Sequence, residues 1–211
     1  MRLVIFGATG RIGQRILQEA LHRGHSVTAA LRTSSRLAIE HHLLQTAVAD
    51  VTNPQDVTRV AAGQDAVASA IGPGPSGDPG IITAAASALV TALTESGPKR
   101  LISVGGAGTL EIHPGVQRLD TPDYPEAYRP SGYAQREALA IYRASDLDWS
   151  YLSPPVIIEP GTRTGSYRIG RDQVLFDITG RSIISMEDYA VALLDELERP
   201  RHIRARFTVA Y

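Results

Sequence analysis

No cysteine occurs among the 211 residues. Disulfides, thiolate zinc sites, iron–sulfur clusters and a cysteine nucleophile are excluded with it. Lysine is almost as scarce: of the 21 basic residues, 20 are arginine and one is Lys99. A mechanism that needs an amine must use Lys99 or do without. Charge of either sign is not in excess, the net value being -1, so nothing marks nucleic acid as a partner. No apolar run approaches the roughly 18 residues of a membrane helix. Gly-Ala-Thr-Gly is reached by residue 10, too early for a secretory signal, so a cytoplasmic protein without a membrane partner is expected. No two of the six histidines have ligand spacing on one helix face, so no metal is expected. What is present is an apolar content of 43% against 20% charged residues. That is a globular composition, read as one domain over residues 1–211.

Short apolar runs alternate with longer helical patterns and no internal repeat interrupts them, which is the rhythm of βαβ units. Strands are expected at 3–6, 26–31, 43–48, 66–71, 100–104, 149–153 and 206–210. Helices are expected at about 11–23, 54–62, 81–95, 131–144 with Ser131 as N-cap, and from Ser185 onward, where Asp188 completes a capping-box spacing. A short helix is expected near 34–41. The fold class is therefore α/β: a doubly wound parallel sheet of about seven strands, helices on both faces, and a small substrate-covering segment near the C-terminus. Two loops follow strands at the carboxyl edge, where ligands of such sheets bind. Residues 72–80 contain seven Gly or Pro in nine, and 105–130 run 26 residues without a pattern, as a lid or as a surface excursion.

Gly7, Gly10 and Gly13 follow the first strand and open the first helix. This is the Rossmann spacing: Gly7 for the tight turn, Gly10 for close approach of backbone to a pyrophosphate, Gly13 for helix–sheet packing. The N–H groups of Thr9, Gly10, Arg11 and Ile12 would face the phosphates. An NAD site usually carries a carboxylate at the end of the second strand. Here that region reads Leu31-Arg32-Thr33-Ser34-Ser35-Arg36, with no carboxylate before Glu40. Arg32, joined by Arg11 or Arg36 and by Ser34, suits a 2′-phosphate, so NADPH is expected over NADH, with ordinary solvated surface the competing account of these arginines. Asp50 and Val51 fall near the adenine, and Ala70, Ile71 and Gly72 near the nicotinamide ribose; ordinary strand-end chemistry is the competing account of both groups. Gly105 and Pro154 end the fifth and sixth strands and would wall the site. The arginines at 163, 168 and 171 with Tyr167 form either a grip for an anionic tail or an exposed hairpin.

The segments GATGRIG, ADVTN, Arg100 to Gly108 and Asp148 to Pro155 resemble atypical short-chain dehydrogenase/reductases. The resemblance runs the whole length and is nearest to the small NAD(P)H-binding, flavin-reductase-like, biliverdin reductase B-like group, with NmrA-like sensors more distant. It implies a Ser, Tyr and Lys in conventional members, with Tyr four residues before Lys. Here Tyr133 stands in place, but Glu137 replaces the lysine and Gly105-Gly106 the serine. A carboxylate beside a phenol raises its pKa and cannot substitute. The histidine that biliverdin reductase B-like proteins carry after the paired prolines is Val156. Tyr133 remains a candidate for substrate or ribose contact, and His113, in the long loop, for proton transfer or simple solvation.

Reduction of a plain ketone needs an acid at the nascent alkoxide, worth about 10²–10⁴-fold. A flavin or quinone spreads the charge by resonance and takes its proton from water. The missing groups therefore point to an NADPH-dependent reductase of a flavin- or quinone-like small molecule. A cofactor-binding sensor without turnover is the alternative. The chain is expected to be a monomer or homodimer.

Overall fold

The structure is a computed structural model that describes residues 1–34, 37, 39–74 and 77–211. Arg36, expected at the 2′-phosphate, lies outside the described residues.

The central sheet has eight strands: β1 (Arg2–Phe6), β2 (Ser26–Leu31), β3 (Leu44–Val48), β4 (Ala66–Ser69), β5 (Arg100–Val104), β8 (Asp148–Ser153), β10 (Arg168–Gly170) and β12 (Ala205–Ala210). Their order is β10-β12-β8-β5-β4-β1-β2-β3. Seven are parallel, and β10 runs antiparallel to β12 at one edge. The seven parallel strands are the expected ones. The eighth escaped notice because Arg168-Ile169-Gly170 is too short and too polar to give a strand signal.

Alternation across the pleat divides the apolar residues into two cores. Leu3, Ile5, Ala29, Ile102, Leu152 and Phe207 face helices α1 (Arg11–His22) and α5 (Met186–Glu198). Val4, Phe6, Val67, Leu101, Trp149 and Tyr151 face α2 (Pro54–Ala61), α3 (Gly80–Glu95) and α4 (Arg129–Arg143). Continuous apolar strands are what burial on both faces demands. The alanine-rich α3 packs against this second face through Ala85, Ala86, Leu89, Ala92 and Leu93.

Three local expectations are corrected. Near 34–41 the described residues are not helical; Leu37 and Ile39 instead pack against the α1 side of the core, so tertiary burial overrides local propensity. Ser131 is not an N-cap: α4 starts at Arg129 with Pro130 in its first turn, a placement that proline's fixed φ favours. The stretch 105–130 is not featureless. It holds 3-10 turns at 107–109, 118–120 and 126–128 and a hairpin of β6 (Glu111–His113) and β7 (Val116–Gln117). Such short pieces have too few residues for a period to show. Between β8 and α5, β9 (Ile157–Glu159) pairs in parallel with β11 (Ile183–Ser185), forming the small segment beside the carboxyl edge.

The capping-box reading of α5 holds in half. Ser185 Oγ accepts from the Asp188 N–H at 2.9 Å. The Asp188 carboxylate, fully buried, does not reach back. It accepts from Thr164 N–H at 2.8 Å, Gly165 N–H at 2.7 Å, and the hydroxyls of Thr164 and Tyr211 at 2.6 Å each. Burial works against its charge, yet these bonds prevail and hold the carboxyl below the usual aspartate range.

Candidate nucleotide-binding site

The turn after β1 is shaped by side chains that cannot be there. Gly7 has φ +82°, and a Cβ on it would lie 2.5 Å from the Ala70 carbonyl oxygen. A Cβ on Gly13 would lie 2.0 Å from the Gly7 carbonyl oxygen. Gly10 is less constrained, its nearest atom being 3.3 Å away. Its N–H donates to Gly7 O at 3.0 Å, and Gln14 N–H returns to Gly10 O at 2.9 Å. Helix α1 thus begins at Gly10 with no side-chain cap and no acidic residue in its first turn. Uncapped N–H groups and the positive helix end together favour an anion. Thr9, Gly10 and Arg11 are exposed and Ile12 half-buried, so the turn is open to a diphosphate. The residues present fit that group.

Strand register brings the other candidates to the same edge. Phe6 is level with Ala30 and Ser69, Ser69 with Ser103, and Val104 with Leu152. Gly7, Arg32, Ala70 to Gly72, Gly105 and Pro154 therefore follow strand ends in one row. Strand order reverses between β1 and β4, which opens the crevice where such sheets take ligands. Arg11 and Arg32 are exposed, and their guanidinium groups make no ion pair or hydrogen bond with a described residue. Thr33 and Ser34 line a cavity of about 420 Å³ beside the end of β2, and Glu40 reaches the same cavity. Val51 is buried, whereas Asp50 is exposed and accepts from Thr52 N–H and Oγ at 2.9 and 2.8 Å. Its N–H bonds Asp56, and that bond and the Arg59 guanidinium hold Asp56 below the ordinary carboxylate range.

Residues 7–200 match the family model described as NAD(P)H-binding. The chain belongs to the NAD(P)H-binding family. It is 39% identical to the uncharacterized protein YwnB of Bacillus subtilis over 214 residues, covering 99% of this chain and 98% of that one. Among solved structures, a Burkholderia pseudomallei protein named a candidate exported protein is 43% identical with a TM-score of 0.91, covering 100% of both chains. Streptococcus pneumoniae SP1627, named a candidate NADH-flavin reductase, is 32% identical with a TM-score of 0.87, covering 100% of this chain and 99% of that one.

The departures from the pattern that the sequence resemblance implies have structural causes. Glu137, in the lysine position, accepts a 3.4 Å bond from Thr83 Oγ, which also reaches Ala134 O, so it links α4 to α3. Gly105 and Gly106 are glycines because neighbours fill the space. A Cβ on Gly105 would lie 2.3 Å from the Tyr151 ring, and one on Gly106 would lie 3.0 Å from Gln135. Tyr151 is fully buried and its hydroxyl donates to Gln135 O at 3.0 Å. Burial, reinforced by Tyr142 and Tyr189, pushes its pKa well up. Tyr133 is half exposed near the start of α4, with the Arg136 guanidinium 5.7 Å from its ring. His113 is exposed on the hairpin, which bridges through Glu111 to Gln173. The anionic-tail grip is not formed: Arg163 is held by Glu19 at 2.7 and 2.8 Å, Arg168 bonds the carbonyls of Phe176 and Tyr211, and Tyr167 donates to Asp195.

Sequence reasoning missed the arginines that fix the long excursion. Arg129 donates to Leu119 O at 2.9 Å, Thr121 O at 3.2 Å and Tyr124 O at 3.3 Å. Arg136 bonds Gln117 at 2.8 Å and Asp120 at 2.6 Å. Arg206, almost wholly buried, donates to Thr109 O and pairs with Asp172. The signal was the arginine excess itself. A planar fork with five N–H donors can tie several carbonyls at once.

Proposed function

We propose that this chain is an NADPH-dependent reductase that passes hydride to a flavin- or quinone-like acceptor. One observation carries the reading: the dinucleotide turn is intact while the conventional lysine position holds a carboxylate engaged with Thr83. A bound reduced nicotinamide supplies the hydride. The chain's own part is to hold and orient. The Gly7–Gly13 turn receives the diphosphate on backbone N–H groups. Arg32 and Ser34, with Arg11, receive the 2′-phosphate. Asp50 and Val51 border the adenine, and the small side chain of Ala70 with Ile71 and Gly72 leaves room for the ribose. Gly105 and Pro154 with Pro155 form an apolar wall that keeps water from the acceptor. Positioning alone is then the main source of rate.

The flavin-reductase name of the pneumococcal relative supports the acceptor class. That name specifies NADH. The preference for NADPH here rests on Arg32 and on the lack of a carboxylate before Glu40. The reading carries a cytoplasmic location with it, since reduced nicotinamide nucleotides are kept there. Calorimetric titration with both cofactors is the first test. NADPH should bind more tightly than NADH, and Arg32→Ala should weaken NADPH about tenfold or more while leaving NADH alone. Tighter binding of NADH overturns the preference. Incubation with NADPH and a panel of flavins and quinones is the second. Turnover is expected, and tight cofactor binding without it would make the chain a sensor.

A further inference from the structure

A cavity of about 290 Å³ lies far from the glycine turn, between the end of α5 and the β10–β12 edge of the sheet. β10 pairs with β12 only from Thr208 to Ala210. Beside Phe207 the space is bordered instead by Arg23, which follows α1, and by the stretch from Asp195 to His202 that ends α5. Helix α1 leaves the diphosphate turn at Gly10 and reaches Arg23 after 12 residues, so about 18 Å separate the two places.

The carboxylates of this cavity are all engaged. Asp195 accepts from Arg23 at 2.8 Å and from the Tyr167 hydroxyl. Glu198 accepts from Arg23 at 2.9 Å and bonds His25 at 2.8 Å. Glu196 accepts from Arg100 at 3.1 Å and bonds the His202 ring at 2.8 Å. Carbonyls at the two helix ends are engaged as well: Glu19 O by Arg23 N–H, Asp195 O by Arg199 N–H and Glu196 O by Arg100. Two positive groups are left over. Arg199 and Arg201 line the cavity and are exposed, and their guanidinium groups make no ion pair or hydrogen bond with a described residue.

The rest of the lining is apolar or aromatic: Ala192, the half-exposed Ile169, and the rings of Tyr167, Phe207 and His202. The His202 ring is stacked on Phe207, with centroids 4.3 Å apart and planes 5° from parallel, and its bond to Glu196 fixes it there. We infer that this cavity is a second ligand site, for a small carboxylic acid carried on one aromatic ring. Unpaired guanidinium groups select an anion, and their forks match the two oxygens of a carboxylate. Inorganic phosphate has the charge but no body to set against Ile169, Ala192 and the rings. The volume falls at the lower end of the roughly 300–1,000 Å³ of small-molecule pockets, which suits one ring and excludes a dinucleotide or a flavin nucleotide. The site uses neither cofactor nor hydride, so it stands independently of the reductase reading.

The probe is sodium benzoate, titrated into the full chain and followed by ligand-observed NMR. It should bind one to one with a dissociation constant of about 1 mM or below. Arg199→Ala and Arg201→Ala should each raise that constant about fivefold or more, and Ile169→Ser about threefold. Melting temperature should stay the same in the arginine variants, since neither guanidinium bonds the rest of the described chain. Benzylamine keeps the ring and reverses the charge, and should not bind. Acetate and inorganic phosphate keep the charge and lack the ring, and should bind at least about tenfold more weakly. Saturating NADPH should leave benzoate affinity unchanged. Absence of benzoate binding overturns the inference. So does benzylamine binding as tightly as benzoate, which would make the cavity a cation site. Phosphate binding as tightly as benzoate overturns the aromatic ligand and leaves a plain anion site. Benzoate affinity that is unchanged in both arginine variants, or that is lost to competing NADPH, places the benzoate elsewhere and overturns the assignment of this cavity.

Discussion

The two halves of the crevice are built by opposite means. Around β1 and β4 the geometry comes from side chains that are missing. Gly7 and Gly13 let backbone pass backbone at distances no Cβ permits. Around β5, β8 and β12 it comes from long side chains that hold residues 109–124: Arg129 and Arg206 reach backbone carbonyls, and Arg136 the side chains of Gln117 and Asp120. The first half turns on Gly7 and Gly13, which leave no room for a Cβ. The second joins residues far apart, since Arg206 and Thr109 are separated by 97 positions, and it depends on a few replaceable contacts. A dinucleotide presents the same diphosphate to every member of such a family, which suits a rigid turn. Acceptors differ, which suits a wall whose shape can be altered one contact at a time.

The largest effect should come from Gly13→Ala. Its Cβ would lie 2.0 Å from a backbone oxygen, and no side-chain rotation relieves that. Loss of about 3 kcal/mol of stability or more is expected in denaturant unfolding, with cofactor affinity reduced beyond detection. Gly24→Ala is the control. Gly24 has a positive φ of +78°, which Gly13 does not, but nothing within 4 Å, so only the backbone cost of about 1–2 kcal/mol applies. Equal losses in the two variants would mean that close approach does not shape the turn.

Next is Arg206→Met on the other half. It keeps bulk but strands Asp172 and the Thr109 carbonyl. A cost of about 2–3 kcal/mol is expected, with faster proteolytic cleavage between residues 109 and 117. NADPH affinity should stay within about twofold. If cofactor binding falls as far as in Gly13→Ala, the halves are not separate.

The same division explains what was legible beforehand. The seven parallel strands and the glycine turn follow from contiguous residues: apolar runs of four to six, a fixed glycine spacing, Gly24 after α1. The hairpin 111–117, the start of α4 and the edge strand β10 depend on what lies opposite. Nothing around Glu111 announces its pairing with Asp172 and Gln173. The arginines were visible, but not their partners. Arg163 looked free for a phosphate because Glu19 is 144 positions away. Gly105 has to be glycine because the Tyr151 ring fills the space a Cβ would take. That requirement comes from the neighbouring strand and leaves no mark at residue 105.

A smaller effect tests how the β8–β12 half is joined to α5. Asp188 fastens Thr164 and Gly165 to the helix, and its folded carboxyl titrates below the ordinary value of 3.8. A depressed folded pKa gives stability that is complete above the unfolded value and lost as pH falls through the folded one. Asp188→Asn should therefore cost about 1–3 kcal/mol at pH 7. The gap between wild type and variant should narrow below pH about 4. A gap that is constant from pH 7 to pH 3 would show that the charge is not what holds the loop.

The smallest effect is expected where a conventional reductase would show one of the largest. Tyr133 occupies the position of the proton-donating tyrosine, half exposed, with Glu137 where a lysine would lower its pKa. The Arg136 guanidinium lies 5.7 Å from its ring. If hydride goes to a ring that spreads its own charge, Tyr133→Phe should leave kcat within about twofold, because no proton has to move in the same step. If the acceptor is an ordinary carbonyl and the phenol supplies its proton, the loss should be about 10²–10⁴-fold. Measured on one acceptor at several pH values, the second outcome would also bring an alkaline limb that Tyr133→Phe abolishes. That result would return proton donation to α4 and remove the chemical reason for preferring a flavin or quinone, while leaving the glycine turn as it is.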